Sequence, residues 1–173
     1  MKRFFAFKWL WLTLLILILD QMTKYLVTQS FQLHESLTLF EGLNLTLVYN
    51  TGAAFSFLQD AGGWQRWFFI ILTPVVAAII LVWMSRLEPN QDWLAAALAL
   101  VLGGAAGNFT DRVIHGYVID FIDVYYQQWH WPAFNVADSA ITVGAVLLVI
   151  DAIWLDHAHV GVHTGRKGGR DGS

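Results

Sequence analysis

The sequence predicts an all-α membrane protein of four transmembrane helices carrying a small extracytoplasmic β-sheet on the outer side. Three observations lead there. Of 173 residues, 57% are hydrophobic and only 13% charged, about half the charged share of a soluble domain. Four apolar runs approach the roughly 20 residues that a helix needs to cross a bilayer. All nine tryptophans (Trp9, Trp11, Trp64, Trp67, Trp83, Trp93, Trp129, Trp131 and Trp154) fall at or just outside the ends of those runs, where amphipathic rings favour the headgroup level. The length suits one integral membrane domain over residues 1–173. Such a composition excludes a disordered chain, a coiled coil and a nucleic-acid binder driven by basic charge. With no cysteine, disulfides, thiolate nucleophiles and cysteine metal knuckles are excluded as well.

In order, the expected spans are 9–28, 67–84, 93–109 and 136–154. The third is short and rich in Ala and Gly, so its flanking tryptophans carry the assignment. An even number of spans puts both termini on one side. Lys2, Arg3, Lys8, Arg86, Arg166, Lys167 and Arg170, seven of the ten basic residues, share that side, which is therefore expected to be cytoplasmic. The start resembles a signal peptide, but Leu19-Asp20-Gln21-Met22 offers no small-residue cleavage site, so an uncleaved anchor is expected. Outside the membrane, Leu43-Asn44-Leu45-Thr46-Leu47-Val48 alternates with period two, predicting a strand, and Asn50-Thr51-Gly52 a turn. The outer segment 113–131 reads as extended or irregular chain. The Gly-, His- and Arg-rich tail 157–173 has no periodicity and is expected to be disordered and cytoplasmic.

Ionisable groups in a membrane span are costly, so each is a candidate site residue. Asp20 and Lys24 lie one helical turn apart and predict an ion pair that supports the architecture. Gly103 and Gly107 have the small-residue spacing that lets membrane helices approach closely. Asn108, Asp111 and Arg112 follow on one face as a packing and hydrogen-bonding cluster, with Arg112 also suited to an anion or a lipid phosphate. Asn135, Asp138, Ser139 and Thr142 form a stripe at the start of the last span. Upstream, Val118-Ile119-Asp120-Phe121-Ile122-Asp123 sets two acids in an apolar context. A carboxyl from that block near Asp138 would form a pair that cannot both ionise easily. A base and an acid are then available together, as water-driven peptide hydrolysis requires. Spacing leaves Asp120 and Asp123 both open as the partner, and leaves a proton-coupled carrier using Asp20, Asp111 and Asp138, or a purely structural pairing, as rivals. The carrier is disfavoured by the apolar middle of the second span and by acids gathered at one membrane face. No Ser–His pair, HExxH or phosphate-binding glycine loop is present, and the tail histidines read as a solvated segment.

Five blocks in order resemble the bacterial lipoprotein signal peptidase family, signal peptidase II. They are Asp20-Gln21-Met22-Thr23-Lys24, Asn50-Thr51-Gly52-Ala53-Ala54-Phe55-Ser56, Gly103 to Arg112, Val118-Ile119-Asp120-Phe121-Ile122 and Phe134-Asn135-Val136-Ala137-Asp138-Ser139. Ala106, where the family often has Leu, is a small departure. The resemblance implies an intramembrane aspartic endopeptidase of the bacterial inner membrane that removes the signal peptide of a diacylglyceryl-modified prolipoprotein, cutting just before the lipidated cysteine. It implies Asp120 and Asp138 as the catalytic pair, which decides against Asp123. It also implies Asn50, Gly52, Asn108, Arg112, Asn135 and Ala137 as residues lining the substrate site, and Asp20, Lys24 and Asp111 as structural support. The implied partners are the prolipoprotein and membrane lipids, with no nucleic acid, metal or cofactor, and the chain is expected to be a monomer.

Overall fold

The computed structural model describes residues 2–52 and 63–155. Its helices are α1 (Leu10–Ser30), α2 (Trp64–Met84), α3 (Asp92–Ile114) and α4 (Val136–Ile150). A 3-10 turn, Lys2–Trp9, leads into α1, and a π-helical turn, Asp151–Leu155, extends α4. All four helices are long and apolar enough to cross a membrane, and the expected four-helix fold with a small sheet is the one found. The third helix runs to Ile114, beyond the expected end at Phe109, and its last turns carry Asp111, buried against Lys24, and Arg112, at the cavity.

That helix is the hub. It packs against α1, α2 and α4, and 56% of its span is buried, against 11%, 11% and 17% for the other three. Its Ala- and Gly-rich sequence, a weak signal for a span, is what a central helix requires, since close approach of neighbours needs small side chains. A Cβ on Gly104 would collide with the Ala137 carbonyl oxygen of α4, and one on Gly107 with the Asp20 carboxylate of α1. Gly103 and Gly107 do face α1, as their spacing suggests, with Gly103 against Ile16. At the opposite end, Trp9 Nε1 and Lys8 Nζ both reach Asp92 Oδ1 at 2.7 Å. This ties the start of α1 to the first turn of α3.

Where α1 and α3 end and α2 and α4 begin, a four-stranded antiparallel sheet sits in the order β1 (Ser36–Phe40), β2 (Leu43–Asn50), β3 (Val118–Tyr126) and β4 (Trp129–His130). β2 matches the alternating block and runs on to Asn50. β3 arises in the segment read as extended or irregular. Between Leu45 and Val48 the pairing of β2 with β3 shifts register, with Asn44 opposite Asp123 and Val48 opposite Asp120. The face carrying Ile119 and Phe121 packs with Leu47 on Val27 of α1. The turn at 50–52 is an Asx turn, in which the Gly52 N–H donates to Asn50 Oδ1 at 2.9 Å and Gly52 takes φ +112°, a value that suits glycine. Ala53, Ala54, Phe55 and Ser56 of the second block lie outside the described residues, as does the tail from residue 157.

Gly104→Val is expected to push α4 from α3 and destabilise the protein by about 1–3 kcal/mol, the usual cost of overpacking. A melt in detergent followed by tryptophan fluorescence checks this, and an unchanged midpoint would contradict the close helix approach.

Candidate active site

Asp138 owes its position to a helix start. Asn135 caps α4: its Oδ1 accepts the Asp138 N–H at 2.9 Å, and the Asn135 N–H donates to Asp138 Oδ2 at 3.3 Å, a reciprocal capping box. Since the capping carboxylate occupies the third helical position, the motif that starts the helix also orients Asp138. Its other oxygen accepts from Asn108 Nδ2 of α3 at 2.7 Å.

Asp120 owes its position to strand alternation. Residues three apart on a strand point to opposite faces, so Asp120 and Asp123 cannot both look toward α4. Asp120 does, and is 1% exposed. Its Oδ1 accepts from Asn135 Nδ2 at 2.7 Å and its Oδ2 from Asn50 Nδ2 at 2.9 Å. Asp123 turns away, accepting from Asn44 Nδ2 at 2.9 Å and pairing with His130 Nδ1 at 2.8 Å.

Asp120 and Asp138 line one cavity of about 360 Å³. One wall is the end of β2 with Asn50, Thr51 and Gly52; the facing wall is the stretch Trp131, Pro132, Ala133 and Phe134; Phe69 of α2 and Arg112 of α3 complete it. The Arg112 guanidinium lies 4.5 Å from the centre of the Phe69 ring and donates from Nη1 to the Asn108 carbonyl at 3.2 Å. A cationic group thus stands beside two acids in a partly apolar pocket. Burial first, and then the Asp138 carboxylate, push the Asp120 carboxyl up to about 7, while the Asn50 and Asn135 amides and the Lys24 charge pull the other way. A carboxyl so placed holds its proton where an ordinary aspartic acid has lost it. Because the folded chain binds that proton more tightly than the unfolded chain, Asp120 makes folding less favourable as pH rises from about 4 to about 7.

Beneath the cavity lies a closed polar cluster. Lys24 Nζ reaches Asp20 Oδ2 and Asp111 Oδ2, both at 2.8 Å, and donates to Asn108 Oδ1 at 3.1 Å. Asp20 Oδ1 accepts the Ala137 N–H at 2.9 Å, and Asp111 Oδ2 also accepts the Ile119 N–H at 3.1 Å. Gln21 Nε2 spans the two carboxylates, 3.1 Å from Asp20 Oδ2 and 2.9 Å from Asp111 Oδ1.

Most residues singled out in the sequence converge here, in different parts. Asn50, Gly52 and Arg112 line the cavity. Asn108 and Asn135 stand behind the two acids as hydrogen-bond donors. Ala137, expected to line the site, is fully buried and is not among the cavity-lining residues; its Cβ packs toward Gly107 and its N–H is held by Asp20. The expected shared face of Asn108, Asp111 and Arg112 is divided, with Asp111 toward Lys24 and Arg112 toward the cavity, because the ammonium on α1 draws the carboxylate. Sequence reasoning passed over Gln21, although it is three residues from Lys24 and therefore on the same helix face. It also passed over the 131–134 wall and Phe69, for which no local signal exists.

Four membrane-spanning helices supporting two carboxyls in an open, partly apolar cavity define a polytopic membrane protein with a site suited to acid–base chemistry. A family model described as "Signal peptidase (SPase) II" matches residues 12–154, and the chain belongs to that family of membrane peptidases. The lipoprotein signal peptidase of Pseudomonas putida is 54% identical over 151 residues, 86% of this chain and 88% of that one. That of Pseudomonas syringae pv. tomato is 55% identical over 145 residues, 83% and 84% of the two chains. Two solved bacterial membrane enzymes, determined by the in meso method at 2.3 and 1.9 Å, have the same fold. The first has a TM-score of 0.79 at 30% identity over 98% of both chains; the second has 0.77 at 31% over 88% of this chain and 97% of that one.

Asp138→Asn is expected to lower the Asp120 pKa from about 7, since one like charge is removed, yet to leave it above the ordinary aspartate range because burial is the larger cause. The protonated-carboxyl infrared band, assigned by its loss in Asp120→Asn, reports the midpoint. A midpoint unchanged from wild type would show that the two groups do not feel one another.

Proposed function

We propose that the protein is an aspartic endopeptidase that removes the signal peptide from diacylglyceryl-modified prolipoproteins, with Asp120 and Asp138 as its catalytic pair. The observation that carries this reading is that both carboxyls line one cavity, each oriented by amide donors, at the end of the bundle where the sheet sits. The names of the relatives supply the substrate class. Two of the ten basic residues, Lys2 and Arg3, head the chain, and with Lys8, Arg86 and the basic tail they favour cytoplasmic termini. The cavity then faces the outer side of the bacterial inner membrane. A monomer suffices, since a single chain supplies both acids, and membrane lipids surround it.

The lipidated substrate approaches laterally, its signal helix beside the spans and its acyl chains in the outer leaflet. The lipid anchor holds the cysteine at a set depth and so delivers the scissile bond to the two acids, replacing a search by alignment. The ionised aspartate takes a proton from a water between the pair, and the resulting hydroxide attacks the carbonyl carbon. The protonated aspartate gives its proton to the carbonyl oxygen. Collapse of the tetrahedral species breaks the C–N bond, the amine of the cysteine leaves with a proton, and the pair returns to one proton. Asn50, Asn108 and Asn135 orient the acids. Gly52 and Arg112 contact the substrate chain, Arg112 offering its guanidinium to a carbonyl or a phosphate. Asp20 and Asp111 support the site from below.

In a gel-shift assay with purified protein, Asp120→Asn and Asp138→Asn should each lower cleavage of a diacylglyceryl-modified prolipoprotein by at least ~10²-fold, and the unlipidated precursor should remain uncut. Near-normal cleavage by either folded variant would sink the mechanism. The rate should follow a bell-shaped pH profile. It should fall on the alkaline side once the pair has lost its shared proton, with midpoints that belong to the pair rather than to either acid; a rate that keeps rising with pH would exclude a protonated group.

A further inference from the structure

Lys24 has three N–H bonds and three acceptors, and each acceptor leads to the acid pair. Asp20 Oδ2 takes one, and the other oxygen of Asp20 holds the N–H of Ala137, the residue immediately before Asp138. Asp111 Oδ2 takes the second, and the same carboxylate holds the N–H of Ile119, the residue immediately before Asp120. The third goes to Asn108 Oδ1, whose amide nitrogen donates to the Asp138 carboxylate. An ammonium group offers donors only, so the Asn108 oxygen must face Lys24 and the NH2 must face Asp138. The flipped amide would set NH2 against ammonium and oxygen against carboxylate. Asn135 is constrained in turn. Its Oδ1 is taken by the Asp138 N–H, so its Nδ2 points to Asn108 Oδ1, the Ile119 carbonyl and Asp120 Oδ1.

We propose that Lys24 is a positioning residue for the hydrolysis, an ammonium that sets the donor direction of the Asn108 amide and, through Asp20 and Asp111, anchors the backbone beside both Asp138 and Asp120. This rests on the reading of Asp120 and Asp138 as the catalytic pair. The architectural part implied for Lys24 accounts for its two ion pairs; the third donor, spent on an amide that ends at Asp138, gives it a part in the reaction. Two carboxylates already neutralise the ammonium, and a support alone needs no polar connection to the acid pair.

The chain contains no cysteine, so Lys24→Cys creates a single alkylation site. A second cavity of about 380 Å³ reaches position 24, lined by Gln21, Lys24, Tyr25, Asp111, Tyr117 and Ile119 among others, and admits small reagents. Aminoethylation with 2-bromoethylamine restores an ammonium at nearly the lysine length; propylation with 1-bromopropane gives a neutral side chain of the same shape. The aminoethylated protein is expected to regain a kcat within about threefold of wild type. The propylated protein leaves Asp20 and Asp111 without their cation and melts lower; at a temperature where both forms are fully folded it is expected to keep the KM of the aminoethylated form with a kcat at least about tenfold below it. Equal kcat in the two forms at that temperature, or a loss of kcat that only follows the fraction of protein unfolded, overturns the proposal. If Lys24→Cys does not fold, Lys24→Gln made in the wild-type and in the Asn108→Ala background decides, since a loss carried by the Asn108 amide disappears once that amide is gone. A kcat at least about tenfold lower for Lys24→Gln with KM unchanged, and no further loss in the Asn108→Ala background, supports the proposal; wild-type kcat, or losses that add, overturn it. Wild type, Asp120→Asn and Asp138→Asn are assayed alongside. Cleavage by the aspartate variants would mean that the catalytic reading fails, whereas inactive aspartate variants beside a fully active propylated form would mean that only the role of Lys24 fails.

Discussion

A lysine ammonium buried inside a helix bundle is the constraint on which this structure turns. Lys24 is 2% exposed, and leaving a charge there with one partner removed would cost about 3–5 kcal/mol. The fold must therefore bring acceptors to it, and it does so from several elements: Asp20 from the same helix, Asp111 and Asn108 from α3. The surplus oxygens of those carboxylates are then satisfied by backbone N–H groups of α4 and β3. One charge thereby connects three helices and the sheet, and no described buried side-chain polar atom is left without a partner.

Close packing around α3 is the second requirement, and it serves the first. Short hydrogen bonds across three helices need backbones that nearly touch, and Gly104 and Gly107 allow this where any side chain would strike Ala137 or Asp20. The same closeness buries Asn108 and Asn135, so their amides act in a poor dielectric, where each hydrogen bond counts for more. Above them, the cavity stays open between β2 and the 131–134 stretch. A peptide bond presented there would meet acids whose geometry is set in advance by rigid elements, which is the condition for efficient acid–base work.

Much of this was legible in the chain because it is local. Apolar runs and tryptophans mark the helices; the Asp20–Lys24 spacing places both on one face; the Asn135–Asp138 spacing is a capping box readable as such. Strict alternation along Val118 to Asp123 separates Asp120 from Asp123 once that stretch is known to be a strand. The reading of it as extended or irregular chain hid this, since the resemblance to the family and not the alternation chose between the two acids. Ala137 is buried behind the cavity rather than lining it, and a buried alanine and a cavity-lining one look alike in one dimension. Its role is carried by its backbone N–H, which every residue but proline possesses.

Composition and helical spacing thus settled that the chain is a four-span membrane protein with acids near one face, because hydrophobicity and a 3.6-residue period act over a few turns at most. The convergence of those acids on one cavity was decided only by long-range packing. Asp20 and Ala137, Lys24 and Asn108, or Asn50 and Asp120 meet across large stretches of sequence, and nothing in the intervening residues specifies the distance between them. The direction of each hydrogen bond is likewise a tertiary property. An asparagine amide can be turned either way, and it took donors arriving from other elements, the Lys24 ammonium and the Asn135 amide, to face the Asn108 oxygen and turn its NH2 toward Asp138.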